Sequence, residues 1–501
     1  MRSLIIAAPA AAMMLTLTGA ADAPDWASAL RQDAQAFHDD IATNHPGMVD
    51  TANPRFASKN DRQLALAVQR ARRTREYAGY WFALRAYAAA FDDGHLEFGA
   101  GRDQVQPQLP TRWPGFLTAI DDDGRQRVAT HVDWSRLPIG AELIECDGRS
   151  ADALAKTNVG AFSGRWFLRA VRMEEGGRLF LDQGNPWVTR PSICTFLVET
   201  RRRSVKLDWR IIDPAERDRH LARTFSRAAE PIGMRTLPDN SLWITLSDFK
   251  GDPEGPAAKA LVPLIARLTA SPESLRNARA IVLDLRGNHG GSSDWSRQIA
   301  RLIWGKPAVD AVNLGSDAVE WRASSSNIAT LKQFAASLDA SSNSSPEVRG
   351  WLGETIAGME LARMSGKPVW ANVSAAKRNS VSDRSIPTLG RPVLMITDPG
   401  CGSACLDAAD LWLALGAIHV GQQTSADTVY MDARKDTLPS GFGRVVLPMK
   451  VYRGRKRGSN VPLTPSYVFR GSLADTQSLE RWVSEIINRL SSTRSANMLS
   501  R

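Results

Sequence analysis

Apolar residues recur at helical spacing along the front of the chain and then give way to shorter, alternating runs. Within residues 26–98, Leu30, Phe37 and Ile41 fall near one helical face, and Leu64, Leu66 and Val68 follow a polar break. A third stretch, 81–91, is rich in alanine and aromatics, so helices are expected throughout this region. The loop Asn44-His45-Pro46-Gly47 separates the first two helices, and the turn Asp92-Asp93-Gly94-His95 ends the third. Between about 105 and 212 strands are expected instead. Residues 137–144 lead into the turn Glu145-Cys146-Asp147-Gly148, and 193–198 and 205–212 read as further strands. In the last of these, Val205, Leu207, Trp209 and Ile211 alternate with Lys206, Asp208 and Arg210, which implies one buried and one wet face.

A second large unit opens with the apolar strand 242–246 and continues through strand 280–285 into Arg286-Gly287-Asn288-His289-Gly290-Gly291. A helix with Trp295, Ile299 and Leu302 on one face follows. The plan then repeats: strand 392–397, the junction Gly400-Cys401-Gly402-Ser403-Ala404-Cys405-Leu406, and a helix with Ala404, Ala408, Leu411 and Leu415 on one face. Strand 417–421 comes next. Strand, glycine-rich turn and helix, twice over, imply an α/β layered domain that gathers functional groups at the strand C-terminal ends. Between the two repeats, residues 317–385 read as mostly helical, with a Ser/Asn-rich break at 341–345 and an apolar stripe of Trp351, Ile356 and Leu361. That stretch fits a lid over the site and a plain surface insertion equally. A final helix over 479–490 is expected to dock on the core.

With 501 residues, the chain exceeds one ordinary hydrophobic core, and its 43% hydrophobic and 23% charged residues are those of a globular protein. The formal charge of +10 is spread along the chain, with short runs at Arg201-Arg202-Arg203 and Arg453-Gly454-Arg455-Lys456-Arg457. No aromatic-interleaved basic stripe and no zinc-finger spacing accompany it, so no nucleic-acid partner is expected. The N-terminus reads as an export signal. Arg2 precedes an uncharged stretch, 4–17, and the small residues Gly19, Ala20, Ala21 and Ala23 follow. Cleavage is expected after Ala21 or Ala23, giving a mature protein in the periplasm or secreted, with no membrane span once the signal is gone. The four cysteines fall in two pairs along the chain, Cys146 with Cys194 and Cys401 with Cys405, and their disulfide pairing is open. No ligand cluster for a metal surrounds them, and neither metal nor cofactor is expected.

Ser403 stands where a helix begins. There its hydroxyl can project from the first turn, and neighbouring backbone N–H groups are free to bind a developing oxyanion. A serine at such a place is also an ordinary helix cap. A nucleophilic serine needs a base within hydrogen-bond reach, and imidazole titrates near working pH. His95, just after a turn glycine, is the candidate. His289, beside the upstream glycine pair, is its rival, and His45 reads as a loop-packing residue. A thiol nucleophile at Cys401 or Cys405 is a poor alternative in an oxidising compartment.

The segment Asp284-Leu285-Arg286-Gly287-Asn288-His289-Gly290-Gly291, with a strand and a Ser-Ala helix start well downstream, resembles the S41 family of serine peptidases: the tail-specific or C-terminal-processing proteases and the tricorn core. The resemblance implies an α/β fold with a ClpP/crotonase-like core domain, an N-terminal helical region and a PDZ-like β-rich module. On that basis the expected layout is a signal at 1–23, helices at 24–104, the PDZ-like module at 105–215, the core at 235–475 with the 317–385 insertion, and a C-terminal helix and tail at 476–501. The lysine branch of the family is a poor match: Thr428 stands at the expected spacing and the nearest lysine is Lys435. The tricorn-like branch takes its histidine from a turn similar to Asp93-Gly94-His95. Carried over, Ser403 would be the nucleophile, His95 the base, and Gly290 or Gly291 with Ala404 the oxyanion donors. The orienting acid of that branch has no counterpart in the stretch 455–460, so Asp93 or Asp407, with Asp92 and Asp427 behind them, are its candidates. The resemblance implies a peptide or protein substrate hydrolysed through an acyl-enzyme. It allows, as the alternative, a non-catalytic relative that binds peptides or apolar ligands. The oligomeric state is open.

Overall fold

The computed structural model describes residues 24–225, 230–312, 314, 318–339, 346–372 and 389–499. The expected export signal at 1–23 and the Ser/Asn-rich break at 341–345 lie outside the described residues. The described chain opens with three helices. Asp25 caps the first, α1 (Trp26–Asn44), by accepting from the N–H groups of Ala27 and Ser28. Leu30, Phe37 and Ile41 of α1 pack with Phe56 and Ala67 of α2 (Phe56–Ala71) and with Tyr80, Leu84 and Tyr87 of α3 (Tyr77–Ala89). After α3 the chain turns sharply through Asp92, at φ 53°, into strand β1 (Glu97–Ala100).

A six-stranded sheet follows. Its strands are β2 (Phe116–Ile120), β3 (Gln126–His131), β4 (Glu142–Cys146), β5 (Arg149–Ser150), β6 (Ile193–Val198) and β7 (Arg201–Lys206). They run in the order β2-β3-β4-β6-β7, with β5 paired to β4. Two expected strands are shifted here. Residues 138–141 form a turn, the Ala141 N–H donating to Pro138 O, with Gly140 at φ 85°, and the strand starts only at Glu142. The strand expected at 205–212 begins earlier, at Arg201, and ends at Lys206. Beyond it Leu207 bends inward to donate its N–H to Ser192 O, and Arg210–Ile211 pair separately with Arg112–Trp113. The alternation across 205–212 thus spans two strands with a bend between them. The arginine run lies on an exposed edge strand, where cations discourage pairing with another chain. Cys146 and Cys194 are cross-strand partners on β4 and β6 and form a disulfide.

The core sheet contains β8 (Gly233–Thr236), β9 (Leu242–Thr245), β10 (Ile281–Asp284), β13 (Val393–Thr397), β14 (Ile418–Gly421) and β17 (Tyr467–Val468), in that spatial order. From β9 to β17 every pairing is parallel, and β8 is antiparallel to β9. Both faces are covered, which is why these strands read as continuous apolar runs. Leu242, Ile244, Ile281, Leu283, Val393 and Met395 pack on one side against α4 (Pro256–Ala270), α5 (Ser293–Trp304) and the helix that follows Ser403. Trp243, Val282, Leu394 and Ile396 face the other side, against Leu479, Val483, Ile486 and Ile487 of the C-terminal helix Thr476–Leu499.

The described part of 317–385 is less helical than expected, and 373–385 lie outside the described residues. It supplies α6 (Ser325–Asp339) and α7 (Pro346–Met364), but also β11 (Ala318–Arg322) and β12 (Val369–Asn372). These two strands join a five-stranded sheet with β1, β15 (Tyr430–Thr437) and β16 (Gly443–Arg453). Antiparallel pairing gives the order β1-β16-β11-β12, with β15 on β16. Each added strand has only four or five residues, too short for an alternating pattern to stand out from its helical neighbours. The helices of the N-terminal region pack on this same sheet through Val445, Leu447 and Val451.

Candidate active site

Two glycine-rich loops meet at the C-terminal ends of β10 and β13, where a parallel α/β sheet gathers its functional groups. One carboxylate ties them together. Asp398, just after β13, accepts the N–H of Gly287 at 2.7 Å and that of Gly400 at 2.9 Å. Burial pushes its pKa up to about 6 against the pull of those two N–H groups. Behind it, Arg286 is buried on Asp284 and on Leu473 O, which anchors the loop to the C-terminal segment. Asn288 spans the loop from inside, donating to Leu246 O and accepting the N–H of Gly290 at 2.8 Å.

Ser403 sits at the top of helix α8 (Ala404–Ala414) with φ 52° and ψ −126°, a conformation that non-glycine residues avoid. Its N–H is held at 2.6 Å by Asp427 Oδ2, and a disulfide between Cys401 and Cys405 closes the loop around it. The side chain makes no capping bond, so its hydroxyl is not spent on the helix. Instead Ser403 Oγ lies 3.3 Å from His95 Nε2, across 308 residues of chain. The turn before β1 delivers that imidazole. Asp93 Oδ1 accepts the His95 backbone N–H at 2.8 Å, and pairing of Glu97 with Val446 fixes the strand that follows.

Around the serine the backbone is open where an anion would sit. Among the described residues neither the Ala404 N–H nor the Gly291 N–H donates to another group. Gly290 differs: its N–H is taken by Asn288, so it cannot serve as a donor, although its bareness is required. A Cβ there would lie 2.6 Å from Ser403 Cβ and 2.8 Å from Ala404 N. A Cβ on Gly291, at φ 134°, would lie 2.0 Å from Phe249 O.

The acids expected nearby separate clearly. Asp93 is buried beside His95, its Oδ1 4.0 Å from His95 Nδ1. Burial raises its pKa, while His95, Arg165 and Thr428 pull it back. Asp407 belongs elsewhere: its oxygens are taken by Ser293 Oγ at 2.7 Å and by Arg455. Burial would raise its pKa, but Arg455 prevails and holds it below the usual carboxylate range. Asp427 is committed to the Ser403 N–H, and Asp92 accepts the N–H of Arg165 at 2.6 Å. In the acid-free stretch 455–460, Asn460 donates to Asp92 O at 2.9 Å and so braces the histidine turn. His289 lies against Gly400, and Lys435 is exposed on β15. Asp398, Asp427 and Asn288 were not singled out for these positions by sequence. Asp398 and Asn288 stand close to glycines in the sequence and Asp427 does not, and only the fold shows which N–H each holds.

Among the described residues no group of three or more His, Cys, Asp and Glu side chains could hold a metal ion, and no helix is long and apolar enough to cross a membrane. A cavity of about 340 Å³, lined in part by Asp93, Gly94, Glu97 and Arg165, lies beside the histidine turn.

No protein-family model and no curated protein matches the sequence. Solved structures do. Mature CPAF superposes with a TM-score of 0.58 over 93% of this chain and 98% of its own, at 13% identity. The fold resembles that of CPAF. The complex of mature CPAF with lactacystin matches equally, with a TM-score of 0.58 over 93% of this chain and 99% of that one, at 14% identity. The tricorn protease matches more loosely, with a TM-score of 0.38 at 12% identity, over 93% of this chain and 37% of its own. At such identities the CPAF likeness is one of fold.

Proposed function

We propose that this protein is an exported serine hydrolase of the S41 type that cleaves peptide bonds through an acyl-enzyme on Ser403. The observation that carries the reading is the 3.3 Å approach of His95 Nε2 to a serine hydroxyl held at positive φ beside an undonated N–H. In this reading His95 takes the Ser403 proton as Oγ attacks the carbonyl carbon, and the N–H groups of Ala404 and Gly291 receive the oxyanion. The imidazolium then protonates the leaving amine, and water, activated by the same base, releases the acyl group. In this reading Asp93 is the orienting acid for the His95 ring. A peptide is the natural substrate because an extended chain can add as a strand at a sheet edge near the core. CPAF-like architecture adds support at the level of fold alone. Export rests on the 1–23 segment and is in keeping with two disulfides and no free cysteine among the described residues.

Binding without turnover is the second reading, and the 4.0 Å gap between Asp93 and His95 Nδ1 favours it, since that is too long for a hydrogen bond. Hydrolysis of an unfolded protein, followed by mass spectrometry of the products, separates the two. Cleavage by the wild type that falls by roughly 10³-fold or more in Ser403→Ala is expected. Equal product from both proteins, or none from either while peptide still binds, defeats the hydrolase reading.

A further inference from the structure

His45 is a fully buried imidazole that the chemistry above does not use. It follows α1 and opens the short helical turn Pro46–Val49, whose Gly47 N–H donates to His45 Nδ1 at 2.9 Å. A ring nitrogen that accepts a hydrogen bond carries no proton, so in the neutral ring the proton is on Nε2. Burial keeps the ring neutral, with its pKa lowered to about 3. Phe56 stacks on one face with ring centroids 4.4 Å apart, and Tyr430 meets it edge-on at 5.0 Å, so the ring has one orientation. In that orientation Nε2 lies 4.0 Å from Asp93 Oδ2. The other oxygen of the same carboxylate faces His95 Nδ1, also at 4.0 Å. His45 Nε2, Asp93 Oδ2 and His95 Nδ1 are all buried and all without a hydrogen bond.

Three orphaned polar atoms gathered around one carboxylate are costly unless they come to satisfy one another. A movement of about 1 Å brings each 4.0 Å separation within hydrogen-bond range, and catalytic bonds of this kind commonly tighten only when substrate is bound. We propose that His45 is a positioning residue: its Nε2–H fixes the Asp93 carboxylate, which holds the His95 ring with Nδ1–H toward the acid and Nε2 toward Ser403. The inference rests on the hydrolase reading and adds to it a buried file, His45–Asp93–His95–Ser403. His45 keeps its proton throughout. The proton that moves passes from Ser403 Oγ to His95 Nε2 and on to the leaving group.

A ring that merely packs on Phe56 and one that steers Asp93 respond differently to substitution. His45→Phe keeps an aromatic ring and removes the donor, whereas His45→Gln gives up the ring and restores an N–H. The rate at which a fluorophosphonate probe labels Ser403, with kcat and KM for a peptide and the melting temperature, is compared in both variants and the wild type. The expected result is a loss of tenfold or more in labelling rate and kcat for His45→Phe at unchanged KM, with His45→Gln recovering most of it despite the poorer packing. Labelling of His45→Phe at the wild-type rate overturns this inference alone. A His45→Gln variant as slow as His45→Phe, or activity that simply tracks melting temperature, also overturns it. A wild-type protein that ignores the probe overturns the parent reading and this one with it.

Discussion

At the scale of single residues, the site depends as much on what is missing as on what is present. Gly290 contributes no donor, yet a methyl group in its place would meet Ser403 Cβ at 2.6 Å and Ala404 N at 2.8 Å. Its φ of 97° is a further penalty for any side chain. Gly290→Ala is therefore expected to push the nucleophile away from the free N–H beside it and to lower kcat by roughly 10²-fold or more, the usual cost of losing one oxyanion donor. Single-turnover acylation measured on folded variant and wild type checks this, and equal rates would remove the glycine loop from the account. Asp407 and Asp93 teach a related lesson. Both are acids close in sequence to a key residue, but Arg455 claims one, and the fold buries the other beside His95.

At the scale of elements, sequence was most informative where burial is two-sided. Strands β9, β10 and β13 are continuous apolar runs because helices cover both faces of the sheet, and nothing else in the chain explains Leu242, Trp243 and Ile244 in succession. The junctions after β10 and β13 were equally plain, because glycines cluster where backbone must come close to backbone. The short strands were obscure. β11 and β12 gain their identity from pairing, Trp321 opposite Trp370 and Glu320 opposite Val451, which no local pattern encodes. The bend at Leu207 was hidden in the same way, since a continuing alternation cannot reveal that the chain has changed sheets. His95 and Ser403 were named as partners through resemblance. Asp427 was named only as a candidate orienting acid, and the N–H-holding roles of Asp427, Asp398 and Asn288 went unseen, because a residue that holds a backbone N–H leaves no mark in sequence.

At the scale of the whole molecule, buried titratable groups set how stability responds to pH. Burial lowers the pKa of His45 to about 3 and that of His419 to about 4, against 6.5 for an exposed imidazole. Between those values the unfolded chain takes up protons that the folded one refuses, so stability falls as pH drops below about 6.5. The slope is about 1.4 kcal/mol per pH unit for each histidine. Asp398 acts with the opposite sign. With its folded pKa raised to about 6, its contribution is greatest below about 4 and is lost as pH rises toward 6, so it offsets part of the histidine effect in that window. Denaturant unfolding from pH 7 to pH 4 should show a net loss of stability, with a shallower slope in His419→Gln. A flat profile in the wild type would contradict the assignment of both rings as buried and neutral.

The central claim joins the front of the chain to its far end, and covalent labelling tests it most directly. Intact and peptide mass spectrometry after treatment with a fluorophosphonate should find a single adduct, on Ser403, formed at a rate that collapses in His95→Ala while that variant keeps its fold. An unmodified Ser403, or an adduct that forms just as fast without the imidazole, would contradict the account.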